Sequence, residues 1–124
     1  MKYLTKREEE IMEVFWEKDS LFVKEIIELL AAPKPHYNTI STIVRILEEK
    51  GFIGHEQFGN TYCYHALISR EEFSRTTIKE VVSKYFNKSY ASVVSMFVQD
   101  EEISHEEIQE LIQQAKANKN KSNG

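Results

Sequence analysis

"HYNTISTIVRILEEKGFI", residues 36–53, decides how this chain is read. Ile40, Ile43, Val44 and Leu47 recur at helical spacing and make one apolar stripe. The opposite side carries Asn38, Thr39, Ser41, Thr42 and Arg45, where a water-facing helix ordinarily holds Glu and Lys. Gly51 stops the helix, because glycine accepts the left-handed conformation that ends many helices. Short hydroxyls and amides let a helix backbone approach another surface closely. In a DNA major groove they reach base edges, and Arg suits guanine as a bidentate donor. Residues 34–47 contain no carboxylate, which phosphate would repel. The first N–H groups of the helix add an anion-binding end, with His36 at the helix entry as a phosphate contact.

Working outward, Thr5–Glu8 is a capping box that opens a first helix, with Ile11, Met12, Phe15 and Trp16 on its inner stripe. Val23, Ile26, Ile27 and Leu30 mark a second helix, which "AAPKP" breaks. After the third helix, two short strands flank Gly59–Asn60, a two-residue hairpin turn. That turn pairs Phe58 with Thr61, Gln57 with Tyr62, Glu56 with Cys63 and His55 with Tyr64. Three helices followed by a hairpin is the winged helix-turn-helix order, and its third helix is the reader. Gly59 and Asn60, at the wing tip, are candidates for contact with adjacent DNA backbone.

The second half is helical throughout. Capping boxes at Ser69–Glu72 and Ser104–Glu107 open two helices, and a short apolar helix with Val93, Val94, Met96, Phe97 and Val98 lies between them. Helices this short, bearing Phe73, Tyr85, Phe86 and Phe97, have too little monomer around them to cover their apolar faces. A symmetric partner would cover them and would set two reading helices about one DNA turn apart, or a small multiple of that. The expected architecture is mainly α with a small β-hairpin wing. A winged-helix DNA-binding domain (1–67) precedes a three-helix dimerisation domain (68–117) and a polar, disordered tail (118–124).

The chain of 124 residues is 41% hydrophobic and carries a net charge of −4. No apolar run is long enough to span a membrane, and "MKYLTKREEE" has no apolar leader segment. One cysteine, Cys63, excludes an intrachain disulfide and fits a reducing cytoplasm. His55, Glu56, Cys63 and His65 invite a metal reading, but the hairpin register puts His55 on the face opposite the other three. No metal or other cofactor is therefore expected. No phosphate loop, nucleophile elbow or base-flanked cysteine is present, so no catalytic residue is assigned and an enzyme is not expected. The acidic balance keeps a protein-binding winged-helix adaptor open as a second reading. A ligand-sensing winged-helix repressor is a third.

"LTKREEEIMEVFW", "YNTISTIVRILEEKGFI" and "GNTYCYHALISREEF", with the helical second half, closely resemble the penicillinase-repressor (BlaI/MecI/CopY) family of bacterial transcriptional repressors, regulators of antibiotic resistance among them. The resemblance runs from about Leu4 to Ile112. It implies a homodimer on a palindromic double-stranded operator, with the base-reading side of the third helix on Asn38, Thr39, Ser41, Thr42 and Arg45. It places the dimer interface in the rear helices, onto Phe73, Val81, Tyr85, Phe86, Val94, Phe97, Ile108, Leu111 and Ile112. In one branch a membrane sensor-transducer triggers cutting of the repressor, and the matching bond here is Met96–Phe97. Met96 stands where the family often has Asn. Phe22 stands where a small hydroxyl cap is usual, and the C-terminal cysteine cluster of the copper-responsive branch is absent.

Overall fold

The computed structural model describes the backbone of residues 3–123 and the side chains of residues 3–120. The chain divides into two compact units, Met1–Thr77 and Ile78–Gly124.

The first unit opens with α1 (Lys6–Glu17). Its capping box forms as expected: Thr5 Oγ1 accepts from Glu8 N–H at 3.2 Å, and Glu8 Oε1 accepts from Thr5 N–H at 2.7 Å. Glu8 is the one buried charged residue among those described, and Lys50 Nζ lies 2.9 Å from its carboxylate. Burial alone would raise the Glu8 pKa. The Thr5 hydrogen bonds and Lys50 outweigh it and hold the carboxyl below its ordinary value.

A short strand follows, β1 (Ser20–Phe22), then α2 (Val23–Leu29) and α3 (Tyr37–Glu49). Phe22, at the N-cap of α2, has no side-chain acceptor. Glu25 Oε1 supplies the other half of a capping box by accepting from Phe22 N–H at 2.9 Å. The Phe22 ring instead packs edge-on against Phe58, 6.0 Å away. The position thus serves wing packing rather than helix capping. In the α2–α3 loop Lys34 Nζ bonds the carbonyls of Glu28 and Leu30, satisfying acceptors that the end of α2 leaves open.

The end of α3 is a Schellman motif. Gly51 takes φ +87°. Its N–H bonds Glu48 O at 3.0 Å, and Phe52 N–H reaches back to Leu47 O at 3.0 Å. Leu47 and Phe52 are both buried, the apolar contact that accompanies this motif. The chain then enters β2 (Ile53–Phe58), turns at Gly59 (φ +62°) and returns as β3 (Thr61–Ala66). The four cross-strand pairs expected from a two-residue turn are all present. The sheet has a third strand that the periodicity did not reveal: β1 pairs antiparallel with β3, Leu21 opposite Tyr64, giving the order β1-β3-β2.

One core holds this unit together. Ile11, Met12 and Phe15 of α1 meet Ile26 of α2, Ile40, Val44 and Leu47 of α3, and Ile53 and Tyr64 of the sheet. Each fully buried aliphatic or aromatic side chain contributes about 1.5–3 kcal/mol.

The second half supplies α4 (Arg70–Tyr85), α5 (Tyr90–Gln99) and α6 (His105–Asn123). Ser69, Ser89 and Ser104 cap these helices by accepting from Glu72, Ser92 and Glu107 N–H at 3.0–3.1 Å. The break at "NKS" places Asn87 and Lys88 at positive φ. The division between units falls within α4, ten residues later than the boundary expected at 67/68. The reason is Phe73, whose ring lies 5.5 Å from Trp16 and 5.8 Å from Phe52. Phe73, expected at a dimer interface, therefore packs at the core edge of the first unit.

The expected disordered tail (118–124) also needs correcting. The last helix continues through Asn123, and Gly124 lies outside the described residues. Ala115, Lys116, Ala117 and Lys119 are good helix formers, so a lysine-rich run need not end the helix. Among the described residues no helix is long and apolar enough to cross a membrane.

Candidate nucleic-acid interface

The helix α3 buries Ile40, Val44 and Leu47 and turns Asn38, Thr39, Thr42 and Arg45 outward, with Ser41 half-buried beside them. Thr42 Oγ1 donates to Asn38 O at 2.9 Å, so its proton is committed within the helix and its oxygen remains an acceptor. His36 is the N-cap and makes no capping bond with its side chain. At the wing tip Gly59 and Asn60 are exposed, and Gln57 Nε2 donates to Gly59 O at 3.1 Å, bracing the turn.

The structure brings part of the expected set together. Between α3 and the hairpin runs a groove of about 270 Å³. The helix contributes Tyr37, Ser41 and Arg45, and the turn and β3 contribute Asn60, Thr61, Tyr62 and Tyr64. Asn38, Thr39, Thr42, His36 and Gly59 lie outside that lining, on the exposed surface of α3 and at the wing tip.

Tyr37, Tyr62 and Tyr64 were not expected at the site, since tyrosines next to a core are ordinarily packing. A signal was available. The hairpin register puts Tyr62 and Tyr64 on the His55 face, and Tyr37 opens the same helix as Asn38. Tyr64 is buried, and burial, followed by the charge of Glu48, pushes its phenol above the ordinary value while Arg45 opposes the rise. Its hydroxyl keeps its proton at neutral pH.

The hairpin also holds itself to α3. His55 Nδ1 meets Glu48 Oε2 at 2.5 Å, and the His55 ring lies 4.3 Å from that of Tyr62. His55 is thereby engaged with the helix, while Glu56 and Cys63 face each other across the ladder. Burial, then Glu25 and Glu56, push the Cys63 thiol up, so it stays protonated and unreactive. Among the described residues no group of three or more His, Cys, Asp or Glu is placed to hold a metal ion.

In the second unit the other expected contact residues are mostly uncovered. Val81, Tyr85, Val94, Phe97, Leu111 and Ile112 are exposed, and Phe86 and Ile108 are half-buried. The Met96–Phe97 bond lies within α5.

The sequence model of the penicillinase repressor family matches residues 4–117. The methicillin resistance regulatory protein MecI of Staphylococcus aureus (strain N315) is 29% identical over 109 residues, 87% of this chain and 89% of that protein. The penicillinase repressor of Bacillus licheniformis is 28% identical over 117 residues, 90% of this chain and 88% of its own. The solution structure of the DNA-binding domain of the repressor BlaI aligns with a TM-score of 0.50 at 28% identity, covering 58% of this chain and 93% of that one. A complex structure of hsRosR-S1 aligns at 0.51 and 18% identity over 79% of this chain and 91% of that one, a likeness of fold. The chain belongs to the penicillinase-repressor family, whose members are regulators and not enzymes.

Proposed function

We propose that this member of the family is a cytoplasmic transcriptional repressor. It binds a palindromic double-stranded operator as a homodimer and reads base edges with the outer face of α3. The observation that carries the reading is that face: exposed, free of carboxylates from Tyr37 to Leu47, and flanked by a hairpin. The names of its relatives, a methicillin resistance regulator and a penicillinase repressor, support it. Two copies joined through α4–α6 hold two weakly binding heads together, so each raises the effective concentration of the other.

Repression is steric, and it ends when the dimer is lost. Cutting at Met96–Phe97, after a signal from a membrane sensor-transducer, would separate the heads. That bond sits mid-helix, so α5 must open locally before a protease can engage it.

The test is footprinting of the intact protein on its own upstream DNA. Two protected half-sites related by inversion are expected, with affinity falling as salt rises in proportion to the phosphates contacted. The net charge of −4 favours one competitor, a winged-helix adaptor for another protein. Failure to protect any duplex, with binding to a protein partner instead, would establish the adaptor and end the repressor reading.

A further inference from the structure

The groove between α3 and the hairpin has a chemistry of its own, separate from the exposed reading face. Tyr37, Ser41, Thr61 and Tyr62 bring hydroxyls to it, Asn60 an amide and Arg45 a guanidinium. None of its lining residues carries a carboxylate. Arg45 is also unlike the other arginines. Arg7, Arg70 and Arg75 pair with Glu10, Glu13 and Glu71, whereas Arg45 makes no ion pair among the described residues. Glu48, one turn beyond Arg45 on α3, is engaged by His55. His55 in turn stacks on Tyr62, which fixes the ring that carries one of the donors. A cleft of neutral donors around one unpaired guanidinium fits a singly charged, oxygen-rich anion. A guanine edge would offer Arg45 two acceptors but carries no charge for the guanidinium to neutralise.

We propose that this groove seats a phosphodiester of the DNA backbone, with Arg45 as its charge partner and Tyr37 and Tyr62 as hydroxyl donors. Arg45 then sets the register of the head on the duplex, and base reading falls to Asn38, Thr39 and Thr42 on the open face. This deepens the repressor reading and rests on it. It also reassigns Arg45, which the helix pattern alone had pointed at guanine.

The test uses the intact protein and a duplex that it selects from a random-sequence library. Single methylphosphonate substitutions then neutralise one phosphate at a time. One position per half-site should weaken wild-type binding about ten-fold or more. The same substitution should leave Arg45→Ala binding no weaker than that variant already is. Arg45→Ala should lower the salt slope by about one while leaving the base preference at every position unchanged. Arg45→Lys should keep the slope, and Tyr62→Phe, which retains the ring on His55, should lose about three- to ten-fold. Thermal melting of each variant checks that the head remains folded. If Arg45→Ala instead loses preference at one base pair and keeps both slope and methylphosphonate sensitivity, Arg45 is a base reader. The phosphate seat is then wrong and DNA binding stands. If the library yields no bound duplex, the repressor reading fails and the seat with it.

Discussion

The two units of this chain are built on opposite terms. The first holds thirteen buried apolar residues in one cluster. In the second, Val82 is the only apolar residue buried among those described, while Tyr85, Tyr90, Val94, Phe97, Leu111 and Ile112 stand open to solvent. A helical unit with almost no interior of its own cannot meet the conformational entropy of folding unaided. The head is therefore expected to owe its stability to itself, and the rear unit to a second copy.

The sharpest way to break that contrast is Phe97→Glu, which places a charge on a ring that is 43% exposed in the single chain. Sedimentation should show monomers, operator affinity should fall by about 10²–10⁴-fold, and the head should still melt cooperatively. A variant that stays dimeric would remove Phe97 from the interface. Next in size, Leu47→Ala in the head should cost about 2–5 kcal/mol at any protein concentration, because the cavity lies in a filled core. The matching change in the rear, Leu111→Ala, should lower a melting temperature that depends on concentration. Equal, concentration-independent losses at both sites would erase the distinction between the units.

The buried Glu8 probes the head alone. Glu8→Gln keeps a capping side chain but loses the Lys50 pair, and should cost about 1.5–3 kcal/mol near neutral pH. The folded pKa of Glu8 lies below its ordinary value. Its contribution is therefore present above the ordinary carboxylate range and fades as pH falls through the lowered value. Melting curves of the two proteins should converge in that acidic window, and curves that stay parallel would deny Glu8 this role. The smallest effect is expected at Phe22. Phe22→Ser gains a hydroxyl cap and loses the Phe58 contact, each worth about 1 kcal/mol, so the net change should be small. Phe58→Ala loses the ring pair with no cap in return and should be the more destabilising of the two.

What could be read in advance follows physical range. The hairpin register was legible because a two-residue turn fixes every pair that follows it. The apolar stripe of α3 was legible because helical periodicity is local. The strand β1 was not, since three residues carry no usable alternation and their partners begin at Cys63, forty-one positions after Phe22. Phe73 looked like a rear-unit aromatic because nothing near it in sequence names Trp16 or Phe52. The groove was half legible: Ser41, Arg45 and Asn60 came from helix and turn chemistry. Its tyrosines were hidden by their resemblance to packing residues. The end of the last helix, beyond residue 117, was missed because polarity was taken as disorder.

Only Lys50, Gly51 and Phe52 separate the reading helix from the wing, and all three of their N–H groups are bonded back to α3, at Ile46, Glu48 and Leu47. The join has no slack, so the head works as a caliper of fixed span. On the repressor reading, a duplex closing on it would supply the conformity, by kinking or by a change in groove width. Operators rich in pliable pyrimidine–purine steps between the touched positions should then outcompete stiff ones of identical contacts, a preference written in DNA mechanics rather than in any side chain.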